Sequence, residues 1–434
     1  TPNMDRLARE GVRFANCVTT APACVPARAS LATGLYPHNT GIWKNMNLTL
    51  SPEAPTWMRA IREAGYRTSV FGKTHLHRHQ GDLREREHLM HAYGLDDVDE
   101  IGGPRASARC LSHMTAGWRD KGLWEAYQAD LKDRGLEARP SILPLEDYAD
   151  VYVGQQAKRY LAAYEREEPW FCWVSFGGPH DPWDAPEPYA ARYRPEDMPE
   201  PTAAADDGHE RPTGYLDERM VNGPALGSEA FKRLRANYAG NVTLIDDQIG
   251  EILSVIEERG ELDRTAVVFV SDHGEMNGDH GLVYKSNFLN GAVRVPLIVR
   301  TPETARTGSG GTVFNGPVEW MDVGPTLVEL AGGELSHPQF ARSLCPVVAD
   351  PERAHRAEAI SEYVGEVMLL DETWKAAVNR EGQVYLLFDV QNDPGEARNL
   401  AGLPEYAEIE CALRLRLLER LVAAQLPAPV NVNE

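Results

Sequence analysis

The sequence has no surplus of positive charge and no long apolar run. It sets 44 basic residues against 65 acidic ones, a formal net charge of −21 at pH 7, with neither a basic stripe nor a polybasic tail. That excludes nucleic acid and an anionic membrane surface as expected partners. A small anionic substrate stays open, because a few fixed cations dominate a single pocket. No stretch approaches membrane-spanning length and no signal peptide is visible. The chain begins at Thr1-Pro2-Asn3 without an initiator methionine, so the compartment, cytoplasmic or exported, stays open. Cysteine is scarce: Cys17, Cys24, Cys110, Cys172, Cys345 and Cys411 are six among 434 residues and widely scattered. No C-x-x-C pair or zinc-knuckle spacing occurs, which argues against a disulfide framework and a thiolate metal cluster. Repeats and low-complexity tracts are absent as well.

What is present is ordinary for a soluble globular enzyme: 42% apolar and 25% charged residues, enough to bury a large core. Strand-like and helical patterns alternate. Thr56–Ala64 reads as a helix stopped by Gly65, and Arg67–Phe71 as a strand. Leu145–Glu167 has helical periodicity, and Trp170–Phe176 is an apolar strand in which Cys172 reads as a small hydrophobe. Ser228 to about Arg259 reads as a long helix ended by Gly260. Thr265–Val270 and Val295–Arg300 follow as strands, the former apolar on both faces as in a covered sheet. The alternation implies an α/β domain with helices on both faces, placed at 1–335. Two regions look irregular: His77–Pro144, and the Pro- and acid-rich stretch Asp184–Pro224, read as a long surface loop or lid. From 336 to 434 a smaller α+β subdomain is expected, with strands at Glu366–Asp371, Trp374–Asn379 and Gln383–Asp389 and a terminal helix over about Glu405–Gln425.

Three of the predicted strands run into chemically loaded turns. Arg67–Phe71 leads to Gly72-Lys73-Thr74-His75, Trp170–Phe176 to Gly177-Gly178-Pro179-His180, and Thr265–Val270 to Ser271-Asp272-His273-Gly274. Ligands gather outside the carboxyl ends of strands in open α/β sheets, so three such ends point to one site. Cys24 belongs with them. Pro26 suits a first helical turn and Gly34 a helix end, which puts Cys24 at a helix N-terminus where the dipole favours anions and lowers a thiol pKa. Arg28, one turn on, is suited to an oxyanion.

The stretch Cys24-Val25-Pro26-Ala27-Arg28, followed by Thr33-Gly34, resembles the signature of the sulfatase family. The resemblance extends through GYRTSVFGKTHL, FGGPHDPW, SDHGEMNGDHGLVYKSNF, VRVPLIV at Val293–Val299 and the C-terminal FDVQNDPGEARNL, in the family's order. It implies the alkaline-phosphatase-like fold: a large mixed sheet sandwiched by helices, with a smaller C-terminal antiparallel sheet. It implies that Cys24 is oxidised to formylglycine by a formylglycine-generating enzyme. The hydrated aldehyde attacks sulfur with one hydroxyl and releases sulfate with the other. The resemblance further assigns Lys73 and Lys285 to the sulfate oxygens, Arg28 to the diol and the signature turn, His75 to deprotonation of the diol and His180 to protonation of the leaving oxygen. A divalent cation is implied, calcium by family habit with magnesium as the other hard cation, and Asp272 and His273 match two ligand positions beside Cys24. Of the alternating His75-x-His77-x-His79, only His75 is given a role.

The chain departs from the family in one respect. Sulfatases carry, ahead of the segment resembling Thr1–Phe14, a strand ending in two aspartates that complete the metal site. Without it, a gap in the sheet and a weak or missing metal are expected. Asn290-Gly291 is a smaller departure without an assigned role. Two rival readings follow: a phosphonate monoester or phosphodiester hydrolase of the same superfamily, and an inactive protein with the sulfatase fold. Lys73 and His75 favour the sulfatase, since the phosphonate-cleaving relatives tend to carry uncharged hydroxyl residues there. The substrate is expected to be a carbohydrate or aryl sulfate, with Trp43, Asn45, Trp183 and the 184–224 loop around its alcohol. Oligomeric state is not legible.

Overall fold

The computed structural model describes residues 1–45, 48–204, 209–222, 226–307, 309–427 and 432–433. In chain order, the site is built by helix α1 (Pro2–Glu10), strand β1 (Val12–Val18), helices α2 (Cys24–Thr33) and α3 (Trp57–Glu63), strands β2 (Arg67–Gly72) and β3 (Asp97–Glu100), helix α4 (Ala149–Ala162) and strand β4 (Trp170–Ser175). Helix α5 (Ser228–Glu258) and strands β5 (Val267–Val270), β6 (Arg294–Arg300) and β7 (Thr312–Glu319) follow. Helix α6 (Val323–Leu330), strands β8 (Ala359–Tyr363), β9 (Glu366–Leu370), β10 (Trp374–Val378) and β11 (Val384–Asp389), and helix α7 (Ala407–Ala423) complete the set.

The mixed sheet inferred from the sequence is present in two parts. One has the order β7-β1-β6-β5, with β1 parallel to β7 and β6 antiparallel to both β1 and β5. The other, β3-β2-β4, is parallel throughout. Helices cover both faces. Leu7 of α1, Leu161 of α4 and Leu244 and Ile252 of α5 share one buried cluster with Phe71. Ala29 of α2, Trp57 and Ile61 of α3 and Val328 of α6 pack with Val70 on the other face.

Strands β4 and β5 do not pair. Between them lies a cleft of about 990 Å³, lined by every residue of both strands and by apolar side chains of both helical layers, Ile245 and Ile252 from one and Trp57 and Leu327 from the other. Each residue of β5 is half-buried, as are Trp170–Val174 of β4. Cys172 lines this cleft rather than lying sealed in the core.

The C-terminal sheet is antiparallel in the order β8-β9-β10-β11. Phe14 and Val318 of the first sheet, Ile360, Leu369 and Leu387 of the last, and Leu413 and Leu417 of α7 form one continuous core. Strand β8 escaped the sequence reading. Its Ser361 and Glu362 look like surface residues, yet both are buried, and Glu362 Oε1 lies 2.7 Å from His38 Nδ1.

The two irregular regions need correction. Helices His113–Asp120 and Leu123–Arg134 stand within His77–Pro144, held by buried Trp118 and Tyr127 and by a buried Arg134–Asp130 pair at 2.6 Å. Buried ion pairs of this kind imitate a solvated face in sequence. The stretch read as a loop over Asp184–Pro224 contains a helix at Tyr215–Asn222, and its residues 205–208 and 223–224 lie outside the described ones. The helix read over Leu145–Glu167 begins at Ala149, after a 3₁₀ turn at Leu145–Asp147, and ends at Ala162.

Candidate active site

Helix α2 starts at Cys24, with Ala23 extended before it and Pro26 in its first turn. It ends at Gly34, whose φ of 69° is left-handed and whose N–H donates to the Ser30 carbonyl. Proline early and glycine late is the placement expected from helix termini. One orphan N–H of the first turn, that of Val25, donates to Asn45 Oδ1 at 3.0 Å. The end of β2 approaches β4 closely. A Cβ at Gly72, where φ is 111°, would stand 1.9 Å from the Ser175 carbonyl oxygen. Glycine there lets Lys73 N–H donate to that same oxygen at 3.0 Å.

Cys24 is 1% exposed. Its sulfur lies 3.0 Å from His273 Nε2 and 3.4 Å from Lys73 Nζ, and His75, His180 and Lys285 stand close enough to act on it electrostatically. Burial opposes ionisation of the thiol, but its polar surroundings, led by the charges of Lys73, His273 and Lys285, outweigh it and hold the pKa well below the ordinary value. Burial pushes the Lys73 pKa down, and burial with the Lys73 charge holds His75 well below the usual imidazole range. His180 is fixed at both nitrogens: Nδ1 donates to its neighbour's carbonyl, Asp181 O, at 2.7 Å, and Nε2 lies 2.6 Å from Lys285 Nζ. Arg28 ties the strand ends together. It donates to the Lys73 carbonyl, to Ser175 Oγ at 2.9 Å and, through Nε, to Asp272 Oδ2 at 2.7 Å.

Two family models match this chain: one described as sulfatase over residues 1–333 and one as N-sulphoglucosamine sulphohydrolase, C-terminal, over residues 278–423. The chain belongs to the sulfatase family. It is therefore classed as a sulfuric ester hydrolase. It is 29% identical to a multifunctional alkaline phosphatase superfamily protein of Trinickia caryophylli, over 94% of this chain and 87% of that one. An arylsulfatase of Clostridium perfringens is also 29% identical, covering 97% of this chain and 89% of its own. Among solved structures, the phosphonate monoester hydrolase of Agrobacterium radiobacter superposes with a TM-score of 0.76 at 25% identity, over 98% of this chain and 90% of that one.

In this sulfatase, Cys24, Arg28, Lys73, His75, His180, Asp272, His273 and Lys285 meet at one place. Asn45 is exposed and serves the helix end. Trp183 does not face the site: it is 2% exposed and stacked on Tyr284 at 5.7 Å, a packing residue. Three contributors were not singled out in the sequence. Asp150 of α4, wholly buried, accepts from Gly177 and Gly178 N–H at 2.8 and 2.9 Å and so shapes the turn before His180. Ser175 bridges Arg28 and the Lys73 carbonyl. Asp181 Oδ1 lies 3.0 Å from His180 Nδ1.

Cys24, Asp272 and His273 offer ligand atoms within 4.8 Å of one another. That set supplies one carboxylate, and Arg28 and the His273 N–H already hold it. Calcium takes six to eight oxygens and magnesium an octahedron of them. Among the described residues the donors around Cys24 do not complete such a site.

Proposed function

We propose that this chain hydrolyses a carbohydrate or aryl sulfate ester, with Cys24 as the precursor of its nucleophile. The observation that supports this reading is the meeting of Lys73, His75, His180 and His273 on the sulfur of Cys24 at the start of α2. Converted to formylglycine by a maturation enzyme that reads Cys24-Val25-Pro26-Ala27-Arg28, and hydrated, that residue supplies a hydroxyl to attack sulfur.

The remaining steps belong to the side chains around it. Lys73 and Lys285 hold the sulfate oxygens, where negative charge grows during transfer. His180 gives a proton to the leaving alcohol oxygen as the sulfur–oxygen bond breaks, and Asp181 stabilises the protonated ring beforehand. His75, kept neutral by burial and Lys73, has a lone pair to take the proton of the hydroxyl that expels sulfate. Arg28 keeps Lys73, Ser175 and Asp272 in register.

Rates on the sulfate and phosphonate monoesters of one phenol test this. The sulfate ester is expected to have the higher kcat/KM by at least tenfold. Cys24→Ala abolishes turnover, and Lys73→Ala costs about 10²–10³ in kcat, the scale of one lost oxyanion contact. A preference for the phosphonate ester would put the chain with the phosphonate hydrolases. No turnover of either ester by protein bearing the modified Cys24 would leave a fold without catalysis.

A further inference from the structure

The segment after β2 folds inward. Its alternating histidines divide: His75 faces Cys24, whereas His77 and His79 turn inward and are 2% and 6% exposed. Glu100, the last residue of β3, stands between them at 5% exposure. His77 Nε2 lies 2.6 Å from Glu100 Oε2, and His79 Nε2 lies 3.1 Å from Glu100 Oε1. The three offer ligand atoms within 4.8 Å of one another. The Thr74 hydroxyl donates to the same carboxylate.

The opposite ring nitrogens set the protons. His77 Nδ1 is 3.0 Å from the Arg78 carbonyl oxygen, and His79 Nδ1 is 3.2 Å from that of Gly102. A carbonyl only accepts, so each Nδ1 carries a hydrogen. Each neutral ring then aims the Nε2 lone pair at a carboxylate, which also only accepts. Positive charge must lie between them. Two protons, one on each Nε2, satisfy the contacts. They also leave two imidazolium rings 5.3 Å apart in a buried pocket. One divalent cation carries the same charge, meets all three ligands at once and removes that repulsion. A histidine held by a carbonyl at one nitrogen and free to ligate at the other is the usual orientation of metal-binding imidazoles. Two nitrogens and one carboxylate oxygen suit zinc rather than calcium or magnesium.

We propose that His77, His79 and Glu100 form a zinc site behind the catalytic loop, with its fourth position taken by water or the Thr74 hydroxyl. The ligands of a tetrahedral zinc stand about 3.3 Å apart, so His77 and Glu100 separate by under about 1 Å to admit it. The site shares no residue with Cys24, Asp272 or His273. It is closed, and its role is to hold the loop: the His79 ring rests on His75 at 4.4 Å between centroids.

The test uses the purified 434-residue chain, stripped with a chelator and returned to Zn²⁺. One equivalent is expected to be retained by wild type and by Asp272→Asn, and lost in the double variant His77→Gln/His79→Gln. Glu100→Gln, which keeps the size and most hydrogen bonds, is expected to weaken zinc at least tenfold while its circular dichroism stays that of wild type. Co²⁺ in place of Zn²⁺ should give the visible absorption of a tetrahedral N/O site. Failure of folded wild type to retain zinc overturns the proposal. So does an unchanged affinity in Glu100→Gln, or an anomalous-scattering peak at His273 rather than between His77 and His79.

Discussion

Asp181 decides when His180 carries its proton. Burial and Lys285 both pull the His180 pKa down, and Asp181 outweighs them and holds it above the ordinary imidazole value. Asn at position 181 removes that charge, so His180 loses its proton at a lower pH. Since the leaving group needs the protonated ring, the alkaline limb of the kcat/KM profile in Asp181→Asn moves to lower pH, with a loss on the order of 10² in kcat. An unshifted limb would deny His180 the acid role. At this scale, legibility followed contiguity. Lys73, His75, His180, Asp272 and His273 sit in turns directly after apolar runs, so strand ends alone placed them together. Asp150, Ser175 and Glu100 act through partners set by the fold: Asp150 reaches Gly177 from another element, and Glu100 reaches the histidines from the neighbouring strand. Local pattern carries no trace of such pairing.

Strands β4 and β5 present one unpaired edge each to the cleft. Edge amides without a ladder partner open to water. In hydrogen exchange, the cleft-side amides of Trp170–Ser175 and Val267–Val270 should exchange at least tenfold faster than those of β2 and β6, which pair on both sides. Equal protection would mean that the edges close on one another in solution. The long periodic helix α5 was legible to within a residue or two. Elements whose burial uses polar pairs were not, as Glu362 in β8 and Arg134–Asp130 in the helix Leu123–Arg134 illustrate.

Over the whole molecule, a net charge of −21 surrounds a site whose working cations are buried: Lys73 is 3% and Lys285 7% exposed. The outer field repels a sulfate ester, while the buried lysines are screened little by salt. Raising ionic strength from about 0.01 M to about 0.1 M shortens the Debye length from ~30 Å to ~10 Å. Over that range kcat/KM for an anionic ester should rise roughly twofold to fivefold. A fall would place the steering charges outside the pocket. The architecture, a mixed sheet between helices followed by an antiparallel sheet, was legible because signature blocks recur in family order along nearly the whole chain.

The claim on which the account turns is that Cys24 is the precursor of the nucleophile. The mass of the tryptic peptide Phe14–Arg28, taken from protein made in a host that contains the maturation enzyme, tests it most directly. The expected peptide is lighter by the difference between cysteine and formylglycine, with the change at Cys24 and not at Cys17. An unmodified thiol at Cys24 in that host would contradict it.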